Sequence, residues 1–213
     1  MSEEYGITAR IYDPLLFIAV NPVRKAVARE LSVRKEDRIL DLCCGTGNQM
    51  KLLSRKGFRD LHCLDLSESM LDMARKGNHP ISFYREDAVS TGFGRGEFDV
   101  VMLSFALHEK DRRTQEAFLN EGYRLLSDDG ILLIVDFEFD ETTGFPGRVG
   151  ANLIERMAGG EHYRNFVEFK KNGGLGDLVD RDRFRLERRI RKVFNVVAIS
   201  TYRKAPVQSA VSG

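Results

Sequence analysis

The sequence predicts an α/β fold, a doubly wound and mostly parallel seven-stranded sheet that closes with an antiparallel strand pair. Three observations carry that prediction. Between Arg38 and Phe139 short β-rich apolar runs alternate with amphipathic helical stretches, which is how a parallel sheet covered on both faces is written. The first apolar run passes straight into a glycine turn, ILDLCCGTGNQ. Near the end of the chain two β-rich runs are separated by only a few residues, too few for the crossover of roughly a dozen that parallel neighbours need.

The strands of the parallel part are expected at Ile39 to Cys43, Leu61 to Leu66, Ile81 to Arg85, Phe98 to Phe105 and Ile131 to Phe137. FDVVMLSF and ILLIVDF are nearly continuous apolar runs, as central strands buried on both sides must be. Between them, Ser67 precedes SMLDMARKG, with Gly77 as its stop, and Asp111 precedes RRTQEAFLNEGYRLL, whose apolar residues recur at helical spacing before a turn at SDDG. Upstream lies the helix PVRKAVARELS, with Pro22 suited to a first turn. Downstream, Gly144, Pro146 and Gly147 interrupt the chain before two helical pieces, VGANLIERMA and EHYRNFVEFKK, joined at Gly159 and Gly160. After the break NGGLGD, FRLERRIRKVFNVVAISTYRK reads as the terminal strand pair meeting near Asn195, and the last residues are expected to fray.

Composition bounds the function. A chain of 213 residues can bury one substantial core without metal or disulfide staples. Its 33 Lys and Arg nearly balance 32 Asp and Glu, so no global field recruits nucleic acid or an anionic membrane. Cys43, Cys44 and Cys63 are odd in number and form no CxxC pair, which fits reduced thiols in a cytoplasmic protein and gives no metal site. The start MSEEYGITARIYDPLLF lacks the basic-then-apolar pattern of an export signal, and no run is long and apolar enough for stable membrane insertion.

Chemistry concentrates in two places. Gly45 and Gly47 allow a sharp turn at the carboxyl end of the first strand, where backbone can approach a ligand with no Cβ in the way. Asp65 ends the second strand, at the spacing where an acid accepts hydrogen bonds from ribose hydroxyls. Both features suit a dinucleotide or an adenosyl ligand. The dinucleotide fingerprint wants a third glycine where Met50 stands, and the terminal strand pair replaces a second mononucleotide half. A nicotinamide-dependent oxidoreductase is therefore the alternative reading, and a non-catalytic binder of the adenosyl ligand is the other.

On the residues DLCCGTG, LHCLDLS, YREDAV and SFALH the chain resembles the class I S-adenosylmethionine-dependent methyltransferases, in particular the ubiquinone and menaquinone biosynthesis C-methyltransferase (type 11) subgroup. The resemblance covers residues 36 to 140 well and the remainder as general architecture. It implies a Rossmann-like sheet, S-adenosylmethionine as cofactor and a small-molecule methyl acceptor, with an aromatic or quinone-like ring favoured. It further implies that Asp41 and the backbone at Gly45 and Gly47 hold the methionine portion, with Cys43 where glycine is frequent. Asp65 would bind ribose, Leu66 and Met70 would flank adenine, and Asp87 with Ala88 would meet the adenine amino group; a helix N-cap is the structural alternative for Asp87. Ser104 and Phe105 would form the acceptor-side wall.

The implied organisation is a single domain over 1–213: a helical N-terminal lid over 1–35 carrying Tyr5 and Tyr12, a cofactor core over 36–140, a helical substrate-side insertion over 141–182, and the strand pair over 183–205. His108 follows the fourth strand where a base for the acceptor's proton would stand, with a role in orienting the next helix as the alternative. His162 and Tyr163, on a helix flanked by glycines, are candidates for positioning the acceptor. HEKDR is not HExxH, and no [DNS]-P-P-[YF] follows the fourth strand, which speaks against a zinc protease and against a base-amine methylase. The arginine-rich run over 181–192 is expected to be a solvated sheet edge, and oligomeric state is not readable.

Overall fold

The structure, a computed structural model, describes residues 20–205, so Tyr5, Tyr12 and the residues after 205 lie outside it. Helix α1 occupies residues 20–30 and carries Pro22 near its described start. Then come β1 (Arg38–Asp41), α2 (Asn48–Arg55), β2 (Asp60–Leu64), α3 (Glu68–Ala74), β3 (Ser82–Tyr84), β4 (Phe98–Ser104), α4 (Arg112–Leu125) and β5 (Leu126–Phe137). The chain continues through α5 (Phe145–Ala158), α6 (Gly160–Lys171), α7 (Leu175–Leu178), β6 (Phe184–Lys192) and β7 (Val197–Lys204).

One sheet of seven strands holds the order β3-β2-β1-β4-β5-β7-β6. The first five strands in sequence pair in parallel, while β7 runs antiparallel to both β5 and β6. Alternate side chains feed two cores. Ile39, Val100, Met102, Ile131, Leu133 and Val135 face α1, α2 and Phe166 of α6; Leu40, Val101, Leu103, Leu132 and Ile134 face α4 and α7. That period of two, with both faces apolar, is what makes the central runs read as continuous.

The helix signals act locally as expected. Ser67 caps α3 by accepting the Met70 N–H, and Asp111 caps α4 by accepting the Thr114 N–H at 2.8 Å. Four expectations are corrected. Helix α3 ends at Ala74, short of Gly77. SDDG is no turn: α4 runs directly into β5, and the extra residues are absorbed by a register shift opposite the segment between Phe98 and Val100. Helix α5 starts at Phe145 because Pro146 lies in its first turn, where a missing N–H breaks no helical bond. The break NGGLGD contains the short helix α7.

Strand β6 is the sheet edge, and its arginines are individually neutralised. Arg188 pairs with Glu30, Arg189 with Glu138, and Arg191 with Glu138 and Asp140. The hairpin to β7 is tight enough to force positive φ at Val193, Phe194 and Asn195. No helix among the described residues is long and apolar enough to cross a membrane.

Candidate active site

Parallel pairing brings the carboxyl ends of β2, β1 and β4 to one edge of the sheet. Beyond Asp41 the chain keeps contact with both neighbours, Leu42 N–H bonding to Met102 O and Cys44 N–H to Leu64 O, before it turns into α2. Gly45 adopts φ +52°, and Gly47, the N-cap of α2, adopts φ +68°. The two glycines serve different ends. A Cβ on Gly47 would meet Ala74 Cβ at 2.9 Å, so that glycine lets the turn pack against α3. A Cβ on Gly45 would meet nothing within 4 Å, so that glycine leaves its backbone bare toward open space.

Asp65 ties the turn to the end of β2. Its Oδ2 accepts the Gly45 N–H at 2.8 Å and its Oδ1 accepts the Ser67 N–H at 2.9 Å, and each oxygen keeps further lone-pair capacity. Asp41 is 1% exposed, and its Oδ1 has no hydrogen-bond partner among the described residues. Burial, reinforced by the Asp65 charge, pushes its carboxyl up to about 7. An interior carboxylate oxygen without a partner is costly unless a cationic group answers it, and an α-ammonium or sulfonium would do so.

The remaining cofactor candidates distribute along the same edge. Leu66 is 62% exposed at the end of β2, which is unusual for leucine and suits an apolar ring surface. Met70 is half-buried on α3. Asp87 is exposed beyond β3, and its Oδ1 accepts the Val89 N–H at 3.0 Å. That bond makes a local turn, with no helix following for Asp87 to cap. Ala88 is buried beside it. Ser104 ends β4 with a buried Oγ that lacks a partner among the described residues, and Phe105 follows with φ +55°, a strained setting for a non-glycine residue. Cys43 is a free thiol pushed up by burial and then by Asp65, and the Cys44 thiol, raised first by its neighbour Cys63 and then by burial, donates to Gly45 O at 3.6 Å. Neither is a reactive thiolate at neutral pH.

The acceptor-side candidates gather after β4 and on α5 and α6. His108 is 2% exposed; its Nδ1 lies 2.6 Å from Asp136 Oδ1, at the end of β5, and its Nε2 lies 3.4 Å from Glu155 Oε1, on α5. Phe105, Phe137 and Phe166 stand edge-on around its ring. Burial alone would lower the imidazole's pKa, but Asp136 and then Glu155 outweigh it and hold the ring protonated well above its ordinary value. His162 Nδ1 lies 3.7 Å from Glu109 Oε2, and Asn165 on the same helix donates to Glu109 O at 2.7 Å, so α6 is fastened to the loop that carries His108. Tyr163 is half-buried against Phe166.

Sequence reasoning missed Asp136, Glu155 and Glu109. An acid inside the apolar run ILLIVDF was a usable signal for Asp136, since a charge there needs a partner. Glu155 carried none by itself. Among the described residues no group of three or more His, Cys, Asp or Glu could hold a metal ion.

Residues 39–130 match the family described as a methyltransferase domain. The fold resembles that of the Burkholderia thailandensis 1,6-didemethyltoxoflavin-N1-methyltransferase, solved with 1,6-didemethyltoxoflavin and S-adenosylhomocysteine, at TM-score 0.62 and 16% identity, over 95% of this chain and 86% of that one. It also resembles the Synechocystis magnesium protoporphyrin IX methyltransferase with bound S-adenosylhomocysteine, at TM-score 0.61 and 18% identity, over 88% and 84% of the two chains. Residues 39–130 therefore form a methyltransferase domain, within a Rossmann-like fold.

Among curated relatives the chain is similar to ubiquinone/menaquinone C-methyltransferases. It is 33% identical over 121 residues to the Roseobacter denitrificans ubiquinone/menaquinone biosynthesis C-methyltransferase UbiE, a match covering 54% of this chain and 48% of the relative. It is 30% identical over 151 residues to the Thermotoga maritima demethylmenaquinone methyltransferase, covering 70% and 63%. The chain spans about half the length of most of the curated relatives it matches.

Proposed function

We propose that the chain transfers a methyl group from S-adenosylmethionine to a small-molecule acceptor. One observation supports this above the others: a buried carboxylate, Asp41, keeps an oxygen without a partner beside a bare glycine turn that is bonded to the ribose-type acid Asp65. A sulfonium amino acid brings two cationic groups to that carboxylate, its ammonium and its sulfonium, whereas a reduced nicotinamide brings none.

When bound, S-adenosylmethionine supplies a methyl group already activated by its sulfonium, so the chain's own work is to bind, orient and exclude water. Asp41 answers the cationic end, with Cys43, Gly45 and Gly47 cradling it. Asp65 accepts the ribose hydroxyls, Leu66 and Met70 cover the adenine faces, and Asp87 with Ala88 meets its edge. Ser104 and Phe105 close the acceptor side, where His162 and Tyr163 position the acceptor and His108 governs its proton. An aromatic or quinone-like ring is the preferred acceptor. The cluster of Phe105, Phe137, Phe139 and Phe166 with Tyr163 supports that choice, as do relatives named for quinone methylation. Reduced Cys43, Cys44 and Cys63 support a cytoplasmic setting.

Titration calorimetry with S-adenosylhomocysteine and, separately, NADH tests the proposal. Binding of the former with no heat from the latter is expected. The reverse pattern would establish a nicotinamide enzyme.

A further inference from the structure

His108 is held by two acids of different standing. Asp136 belongs to the frame: its Oδ2 accepts the N–H groups of Leu107 and His108 at 3.0 and 3.3 Å, and its Oδ1 accepts the Phe137 N–H at 2.7 Å. Glu155 has no such anchorage. Among the described residues its one ion-pair partner is His108 Nε2, at 3.4 Å, and its side chain is only 7% exposed.

Among the described side chains of helix α5, which carries Glu155, few reach the core. Of its described side chains, Ala151 and Glu155 are buried, while Phe145, Val149 and Leu153 stand outside at 78%, 48% and 58% exposure. Its carboxyl end runs into Gly159, with φ +125°, and Gly160, and a Cβ at either would meet nothing within 4 Å. That end is thus joined through a glycine pair with open space around it, whereas Gly147 near the other end is wedged against Phe194 and Val196.

The geometry points to Glu155 as a releasable latch: seated, it fastens α5 through the Nε2 of His108, and released, it uncovers that nitrogen beside Phe105 for the methyl acceptor. While latched, the imidazole lies between two buried carboxylates and keeps both protons, so it accepts none. On release the ring loses one of its two stabilising charges and gives its Nε2 proton to water. The freed lone pair then takes the proton that the acceptor sheds. Asp136 remains on Nδ1 throughout and fixes the ring's orientation. The other charged groups facing this cluster are Glu109 and Lys110 in the same loop, and His162 of α6 through Glu109. The use of the uncovered nitrogen rests on the methyltransferase reading; the latch does not.

The test reads His108 and α5 in the whole protein, without cofactor. Nitrogen NMR of the His108 ring should show both nitrogens protonated at pH 8. In Glu155→Gln the titration midpoint should fall by at least one pH unit, and amide protection over 145–158 should drop at least tenfold while β4 and β5 keep theirs. Should that variant fail to fold, protection of the same segment in the unmodified chain should fall between pH 7 and 10, after correction for intrinsic exchange, with β4 and β5 unchanged. A neutral His108 ring at pH 7, or α5 protection indifferent to both the substitution and pH, overturns the latch. Failure to bind S-adenosylhomocysteine would instead overturn the methyltransferase reading, since no readout of the latch uses that ligand.

Discussion

The backbone N–H of Gly45 donates to Asp65 Oδ2 at 2.8 Å, so the glycine turn after β1 is held by the acid that ends β2. A second bond, from the Ser67 N–H at 2.9 Å, fixes the same carboxylate to the start of α3. Asp65 thus sets the shape of the turn and keeps lone-pair capacity, which would join the preorganisation of the site to the ribose recognition proposed for it.

Replacing Asp65 with Ala should accordingly do double damage. Charge-assisted bonds to backbone N–H groups are worth roughly 1.5–3 kcal/mol each, and both are lost along with the ribose acceptor. We expect affinity for S-adenosylhomocysteine to fall by more than about a hundredfold in calorimetry, with Asp65→Asn falling between. Unchanged affinity in the alanine variant would remove Asp65 from the site.

The two turn glycines should separate fold from binding. Gly47→Ala combines a positive φ with a Cβ 2.9 Å from Ala74 Cβ, and overpacking of that kind costs about 1–3 kcal/mol beyond the backbone strain. Gly45→Ala meets open space and carries only the strain, about 1–2 kcal/mol. Thermal melts should show the larger loss for Gly47→Ala. Binding measured on folded protein should show the larger loss for Gly45→Ala, because its new methyl points into the open space proposed for the ligand.

The parallel core and the glycine turn were readable because each is a local pattern, an apolar run or a spacing, with one structural meaning. SDDG was misread because turn residues also fill a bulged extended segment, and only pairing with β4 decides between the two. Pro146 and Gly147 read as breakers, yet Pro146 occupies a position with no helical bond to lose and a Cβ at Gly147 would crowd Phe194 and Val196. For the site, Asp41, Gly45, Gly47 and Asp65 lie close along the chain and announce themselves. Asp136 and Glu155 acquire meaning only when β5 and α5 converge on His108, a relation between distant segments that spacing does not encode.

Asp41 predicts a pH-dependent cofactor affinity. Its carboxyl, ordinarily near 3.8, titrates at about 7 when folded, so the folded chain holds this proton more tightly than the unfolded one. Stability should therefore fall as pH rises from about 4 to about 7, by about 4 kcal/mol on this account, and stay level above. A bound cation reverses the preference and expels the proton. Binding of S-adenosylmethionine should strengthen from pH 6 to 8, and its heat at pH 7 should depend on the buffer's ionisation enthalpy. Asp41→Asn should raise the melting temperature, weaken binding and abolish the buffer dependence; a buffer-independent heat in the unmodified chain would refute the assignment.

His108 carries the opposite sign. Its folded pKa is raised above the ordinary imidazole value, first against the cost of burial and then by Asp136 and Glu155, so its contribution to stability is fully present below about 6.5 and lost as pH climbs through the higher folded value. Denaturant melts of the unmodified chain at pH 6 and pH 9 should show this alkaline loss once the Asp41 effect, complete by neutral pH, is set aside. His108→Ala leaves two buried carboxylates facing an empty space, a change expected to cost about 3–5 kcal/mol at pH 7. The variant should lose much of the alkaline dependence, because the group whose titration produces it is gone. Its affinity for S-adenosylhomocysteine should stay within a few-fold of the unmodified chain, since the residues proposed to hold that ligand, Asp41, Gly45 and Asp65, lie by neighbouring strands. A variant as stable as the unmodified chain would mean that Asp136 and Glu155 do not depend on the imidazolium between them.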